Sequence, residues 1–123
     1  MTIADTDVLI DYLSGKGEAG AVERLLRQGA LRTTVITRFE LLSGAKNAKQ
    51  LARLVQLLDA VPSLALNDAA ADAAADIRRS LERSGNPVGM ADSLIAGIVT
   101  THGGTLLTRN RRHFERVPGI RLA

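Results

Sequence analysis

Short runs of branched and apolar residues alternate along this chain with longer segments of helical periodicity. That alternation constrains the fold more than any other feature. A strand, a long crossover and a second strand can pair only in parallel, and the crossover is most often a helix. The sequence predicts strands at Thr2–Ala4, Leu31–Ile36, Val61–Leu66, Thr105–Thr108 and Ile120–Leu122. Between them it predicts helices from Asp7 to Ser14, over 19–28, from Thr37 to Ser43, over 48–60, from Asn67 or Asp68 to Ser84, and over 89–101. A last helical turn falls at Arg111–Phe114. Gly15, Gly29, Gly44 and Gly103 are the stop signals. The 48–60 helix carries Leu51, Leu54, Val55 and Leu58 on one stripe, and Pro62 puts the third strand at an edge or its entry. The expectation is an α/β fold: a mostly parallel central sheet of about five strands with helices on both faces, in a single domain over residues 1–123.

Composition removes several classes of function. Apolar residues make up 46% of the chain and charged residues 24%, enough to bury a core and to exclude disorder as the main reading. With no cysteine, there is no disulfide, no thiolate metal site and no cysteine nucleophile. No apolar run approaches the roughly 18 residues of a membrane span. The start Met1-Thr2-Ile3-Ala4-Asp5 lacks the basic and apolar regions of a signal peptide. A cytoplasmic location is the expectation. The net charge of +3 is uneven: residues 1–105 hold 11 basic and 12 acidic side chains, whereas Arg109, Arg111, Arg112, Arg116 and Arg121 face only Glu115 after them. A basic end on an acidic body suits a polyanion, although a solvated arginine-rich end looks the same in sequence. Aromatic residues are only Tyr12, Phe39 and Phe114, which leaves little for base stacking.

In a doubly wound sheet, ligands bind beyond the carboxyl ends of the strands. Three acids fall at that edge: Asp5 after the first strand, Glu40 in the helix after the second, and Asp92 in the first turn of the 89–101 helix. Asn110 follows the fourth strand and adds a further oxygen. Each has a local explanation as well. Thr37 to Glu40 matches a capping box, Asp7 or Asn110 would cap a helix, and Asp92 complements the helix dipole. The direction of the acids separates the two readings. Asp92 precedes Ile95, Ala96 and Val99 at i+3, i+4 and i+7 and so lies on the apolar stripe. An inward carboxylate is costly unless paired or metal-bound. No lysine lies near these motifs; Arg38 and Arg109 are the available partners, and a hard divalent cation would serve instead.

Four segments carry a resemblance that covers nearly the whole chain. They are Asp5-Thr6-Asp7-Val8-Leu9-Ile10, Thr37-Arg38-Phe39-Glu40-Leu41-Leu42-Ser43-Gly44-Ala45, Asp92-Ser93-Leu94-Ile95-Ala96, and the ending Leu107 to Ile120. In order and spacing the chain resembles PIN-domain ribonucleases, and the ending resembles the VapC-type toxins among them. The resemblance implies a PIN-like domain and a metal-dependent endoribonuclease toxin, inhibited by a cognate VapB-type antitoxin. It implies a homodimer and a larger toxin–antitoxin complex on operator DNA. Carried over, Asp5, Glu40 and Asp92 match the metal-binding triad, for Mg²⁺ or Mn²⁺, and Asn110 matches a fourth position that is often acidic. Asp7 stands where relatives often have asparagine or serine, and His113 where some carry an acid. Thr6 and Thr108 are hydroxyls suited to orienting water or phosphate. Arg109, Arg111 and Arg112 would hold flanking RNA phosphates while metal-activated water attacks in line. His113 is either a general acid or a turn residue beside Phe114, and His102 complements a helix C-terminus.

Two rivals remain at this stage. Asp5-Thr6-Asp7 after a strand also fits a haloacid-dehalogenase-like phosphatase with Asp5 as nucleophile. Leu9 and the short chain argue against it. Alternatively, the acids are only helix caps in a non-catalytic RNA- or protein-binding module.

Overall fold

The computed structural model describes residues 1–123. Five strands, β1 (Thr2–Ala4), β2 (Leu31–Thr34), β3 (Ser63–Leu64), β4 (Thr105–Leu107) and β5 (Arg121–Leu122), form one sheet in the order β3-β2-β1-β4-β5. Every neighbouring pair is parallel, with Ile3 opposite Arg32 on one side and Leu106 on the other. Seven helices make the crossovers: α1 (Thr6–Ser14), α2 (Ala19–Arg27), α3 (Val35–Ser43), α4 (Ala48–Ala60), α5 (Asp68–Arg83), α6 (Met90–His102) and α7 (Arg111–Phe114).

Alternation along the strands makes two cores, one on each face. Ala4 and Leu107 pack with Val8, Leu9 and Val22, and with Leu54, Leu57 and Leu58 of α4. Ile3 and Leu106 pack the opposite way, with Ile77, Ile95, Val99 and Phe114. Helices therefore cover both faces, as the alternation predicts. The chain leaves β1 for β2 on one side and enters β4 on the other. The switch point thus lies at the carboxyl ends of the central strands.

Several local expectations are corrected. β2 stops at Thr34, and α3 opens at Val35, although Val35 and Ile36 favour strand. The cause is the Thr34 hydroxyl, which accepts the Thr37 N–H at 3.1 Å and caps the helix. Thr37 is thus inside the helix, and the capping box is absent. In α1 the cap is Asp5, not Asp7. Asn110 precedes α7 but makes no side-chain capping bond. In α4 the buried stripe is Leu54, Leu57 and Leu58, whereas Leu51 and Val55 are about two-fifths exposed. His102 closes α6 as read, before Gly103 turns left-handed at φ 73°.

Candidate active site at the carboxyl edge of the sheet

Asp5 ends β1 and is tied into the sheet by its own N–H, which donates to the Leu107 carbonyl at 2.9 Å. The residue is 5% exposed. The Thr6 N–H donates to Oδ1 at 2.8 Å and the Thr108 hydroxyl to Oδ2 at 2.7 Å. These donors favour the charged form, but burial outweighs them, helped by the neighbouring charges of Asp7 and Asp92. The Asp5 pKa is raised from 3.8 to about 6. This acid is one that its surroundings resist ionising.

The Thr6 hydroxyl donates to Glu40 Oε1 at 2.7 Å and lies 3.0 Å from the Thr37 hydroxyl. Thr6 therefore links two of the predicted acids, touching Asp5 with its backbone and Glu40 with its side chain. Asp92 sits at the rim of α6, a quarter exposed, above the buried Ile95, Ala96 and Val99. Its Oδ2 meets His113 Nδ1 at 2.7 Å. The Asn110 amide nitrogen lies 3.3 Å from that same Nδ1. Asp7 receives the Arg109 N–H at 3.2–3.3 Å and lies 3.5 Å from the Thr108 hydroxyl. The Asn110 N–H closes the loop by donating to Thr108 Oγ1 at 2.9 Å.

The predicted residues thus share one edge, but the acids do not close on a single point. No three acidic or imidazole groups stand near enough together to grip one ion, because Glu40 is held by Thr6 and Asp92 by His113. Neither Arg38 nor Arg109 neutralises Asp5, Glu40 or Asp92. The Arg109 guanidinium pairs instead with Asp11, at 2.8 Å from Nε. Arg109, Arg111 and Arg112 are all exposed, and Arg111 also donates to the Ala123 carbonyl at 2.7 Å. Arg109 and Arg111 line a cleft of about 750 Å³ beside Thr108, together with Arg24 and Glu18.

Sequence reasoning missed Asp11, Arg24 and the site role of Thr37. Asp11 carried a signal, since it lies four residues after Asp7 on the same helical face. Arg24 carried none, because only the tertiary fold brings α2 beside β4.

A family model described as PIN domain matches residues 2–120. A protein of Shigella flexneri named tRNA(fMet)-specific endonuclease VapC is 35% identical over 122 residues, covering 95% of this chain and 92% of that protein. Ribonuclease VapC11 of Mycobacterium tuberculosis is 34% identical over 116 residues, covering 89% and 87%. Among solved structures, a chain of DNA-bound VapBC from Salmonella typhimurium matches with TM-score 0.81 and 30% identity, covering 99% of this chain and 96% of that one. A chain of VapBC2 from Rickettsia felis, bound to a promoter DNA fragment, matches with TM-score 0.84 at 19% identity, covering 99% and 96%. That last likeness is one of fold.

Proposed function

Because the chain belongs to the PIN-domain family, matched over residues 2–120, we propose that it is an endoribonuclease toxin that hydrolyses RNA phosphodiester bonds. Its inhibitor is a small VapB-type antitoxin. The proposal includes a homodimer, and assembly with antitoxin on operator DNA, in line with the DNA-bound VapBC complexes of similar fold.

One observation carries the chemical reading. Asp5 is a buried acid beside Asp7 and Asp92, with its pKa pushed up to about 6 and no cationic side chain paired to it. Maintaining such a group is costly in a protein that does nothing with it. A hard divalent cation fits the donor set, which is entirely oxygen. Asp5, Glu40 and Asp92 are the carboxylates that would hold it. When bound, Mg²⁺ or Mn²⁺ supplies positive charge for phosphoryl oxygens and lowers the pKa of water.

The chain's own residues do the rest. Thr6 and Thr108 fix the orientation of Asp5, and Asp7 lies against Thr108 with its carboxylate toward the same edge. His113 lies against Asp92 through Nδ1 and holds that carboxylate at the rim of the site. The Asn110 amide adds a neutral donor beside it. Arg111 and Arg112 grip flanking phosphates, and Arg24 adds positive potential to the cleft. The phosphatase reading is weaker, because the PIN-domain model matches residues 2–120, nearly the whole chain.

The test is incubation of purified antitoxin-free chain with structured RNA, in Mg²⁺ or Mn²⁺ and in chelator, followed by sequencing of the new ends. Internal cuts that need the cation and vanish in Asp92→Asn support the proposal. Cuts that survive in Asp92→Asn, or no cuts with either cation, refute it.

A further inference from the structure

Asp11 lies one helical turn beyond Asp7 and touches none of Asp5, Glu40 and Asp92, yet its side chain is among the most buried polar groups in the molecule, at 2% exposure. Two donors satisfy one of its oxygens: Arg109 Nε at 2.8 Å and the Glu18 N–H at 3.1 Å. The chain is shaped to admit it. Gly17 has φ +53°, and a Cβ there would stand 2.3 Å from Asp11 Oδ2. A desolvated carboxylate with one charged partner depends strongly on that partner.

Arg109 reaches α1 twice. Its guanidinium meets Asp11, and its backbone N–H meets Asp7 at 3.2–3.3 Å. Asp7 and Asp11, at i and i+4, present one face, and a single arginine spans it. Arg109 lies between Thr108, whose hydroxyl donates to Asp5, and Asn110, whose N–H donates to that hydroxyl. We propose that Asp11 is a positioning residue: by clamping the Arg109 guanidinium it fixes the backbone of Thr108–Asn110, and thereby sets Asp7 and the Thr108 hydroxyl against Asp5. Arg109 is then a latch that holds the 108–110 turn to α1 and not a phosphate ligand. The inference rests on the nuclease reading for its kinetic consequences alone.

The test compares Asp11→Asn, Arg109→Ala, Arg109→Lys and the double variant Asp11→Asn/Arg109→Ala in the full chain. RNA cleavage is resolved into kcat and KM over a range of salt, and amide hydrogen exchange is followed at Arg109 and Asn110. Each of Asp11→Asn and Arg109→Ala should lower kcat roughly 10- to 100-fold, as slight misplacement of reacting groups does. KM and its salt dependence should hold. The double variant should be no slower than the slower single one, and Arg109→Lys should recover part of the rate. The Arg109 and Asn110 amides should exchange faster in both single variants. Should Asp11→Asn fail to fold, the two Arg109 variants carry the same comparison. The proposal is overturned if Arg109→Ala raises KM and flattens its salt dependence, which is the mark of a phosphate ligand. It is also overturned if kcat is unchanged while only the melting temperature falls, or if amide exchange is unchanged. Absence of RNA cleavage by the unaltered chain would defeat the nuclease reading instead, and amide exchange would still decide on the latch.

Discussion

Asp5 is asked to do two opposed things. It caps α1 and joins β1 to β4, which fixes it in place, while burial and two acidic neighbours penalise its charge. The consequence for stability has a definite sign. The unfolded carboxyl titrates near 3.8 and the folded one at about 6, so the folded state binds this proton more tightly. Without metal, the contribution of Asp5 is most favourable below pH 3.8, declines as pH rises to about 6, and is level above that. The decline is about 3 kcal/mol. Asp5→Asn should therefore be more stable than the parent chain at pH 7 in chelator, with the difference shrinking toward pH 4. Chemical denaturation across that range checks it. A less stable Asp5→Asn at pH 7 would mean that capping outweighs desolvation. In Mg²⁺ the parent chain should gain stability and the variant should not. At the other end of the site, Asp92→Asn should lower the cleavage rate by two orders of magnitude or more, measured on a short RNA of defined sequence.

At the scale of elements, the packing of α5 on α6 depends on small residues. Gly97 faces Ala70 and Ala74 so closely that a Cβ would stand 2.5 Å from the Ala70 carbonyl oxygen. Both contacts involve helix backbone, which cannot yield cheaply. Gly97→Ala should cost about 1–3 kcal/mol despite its better helix propensity, read from urea denaturation. α5 and α6 were legible in the sequence because their stripes and stop signals agree with their packing. The start of α3 was not. Val35 and Ile36 favour strand, and only the Thr34 hydroxyl, capping the helix two residues early, reverses that preference. The stripe of α4 was legible as a helix but not in its facing, because Leu51 and Val55 fit the period as well as Leu57 does. Periodicity alone cannot say which way a helix is turned. Asp5, Glu40 and Asp92 were legible as sharing an edge, since strand ends and helix starts put them there. Their hydrogen bonds to Thr6 and His113 were not, because these join residues distant in the chain. The burial of Asp11 depends likewise on Arg109, 98 positions later.

For the whole molecule, charge is sorted along the fold. The first 105 residues are nearly neutral, and the basic end carries the surplus. Arg24 and Arg111 line one cleft beside Thr108, together with Arg109, whose charge is met by Asp11, so a polyanion meets positive potential there. RNA binding should weaken steeply with salt. Arg111→Ala and Arg112→Ala should each lower the slope of log affinity against log salt by about 0.7, if each neutralises one single-strand phosphate. Filter binding to a catalytically silent Asp92→Asn background checks this, and an unchanged slope would remove those residues from the interface.

Asp5, Glu40 and Asp92, far apart in sequence, are proposed to serve one cation. Titration of Mn²⁺, followed by water-proton relaxation, tests that claim without requiring turnover. Asp5→Asn, Glu40→Gln and Asp92→Asn should each weaken binding tenfold or more, about 1.4 kcal/mol, while Glu23→Gln, whose partner is Arg27 on the surface of α2, leaves it unchanged. Equal affinity in the parent chain and all four variants would contradict the account.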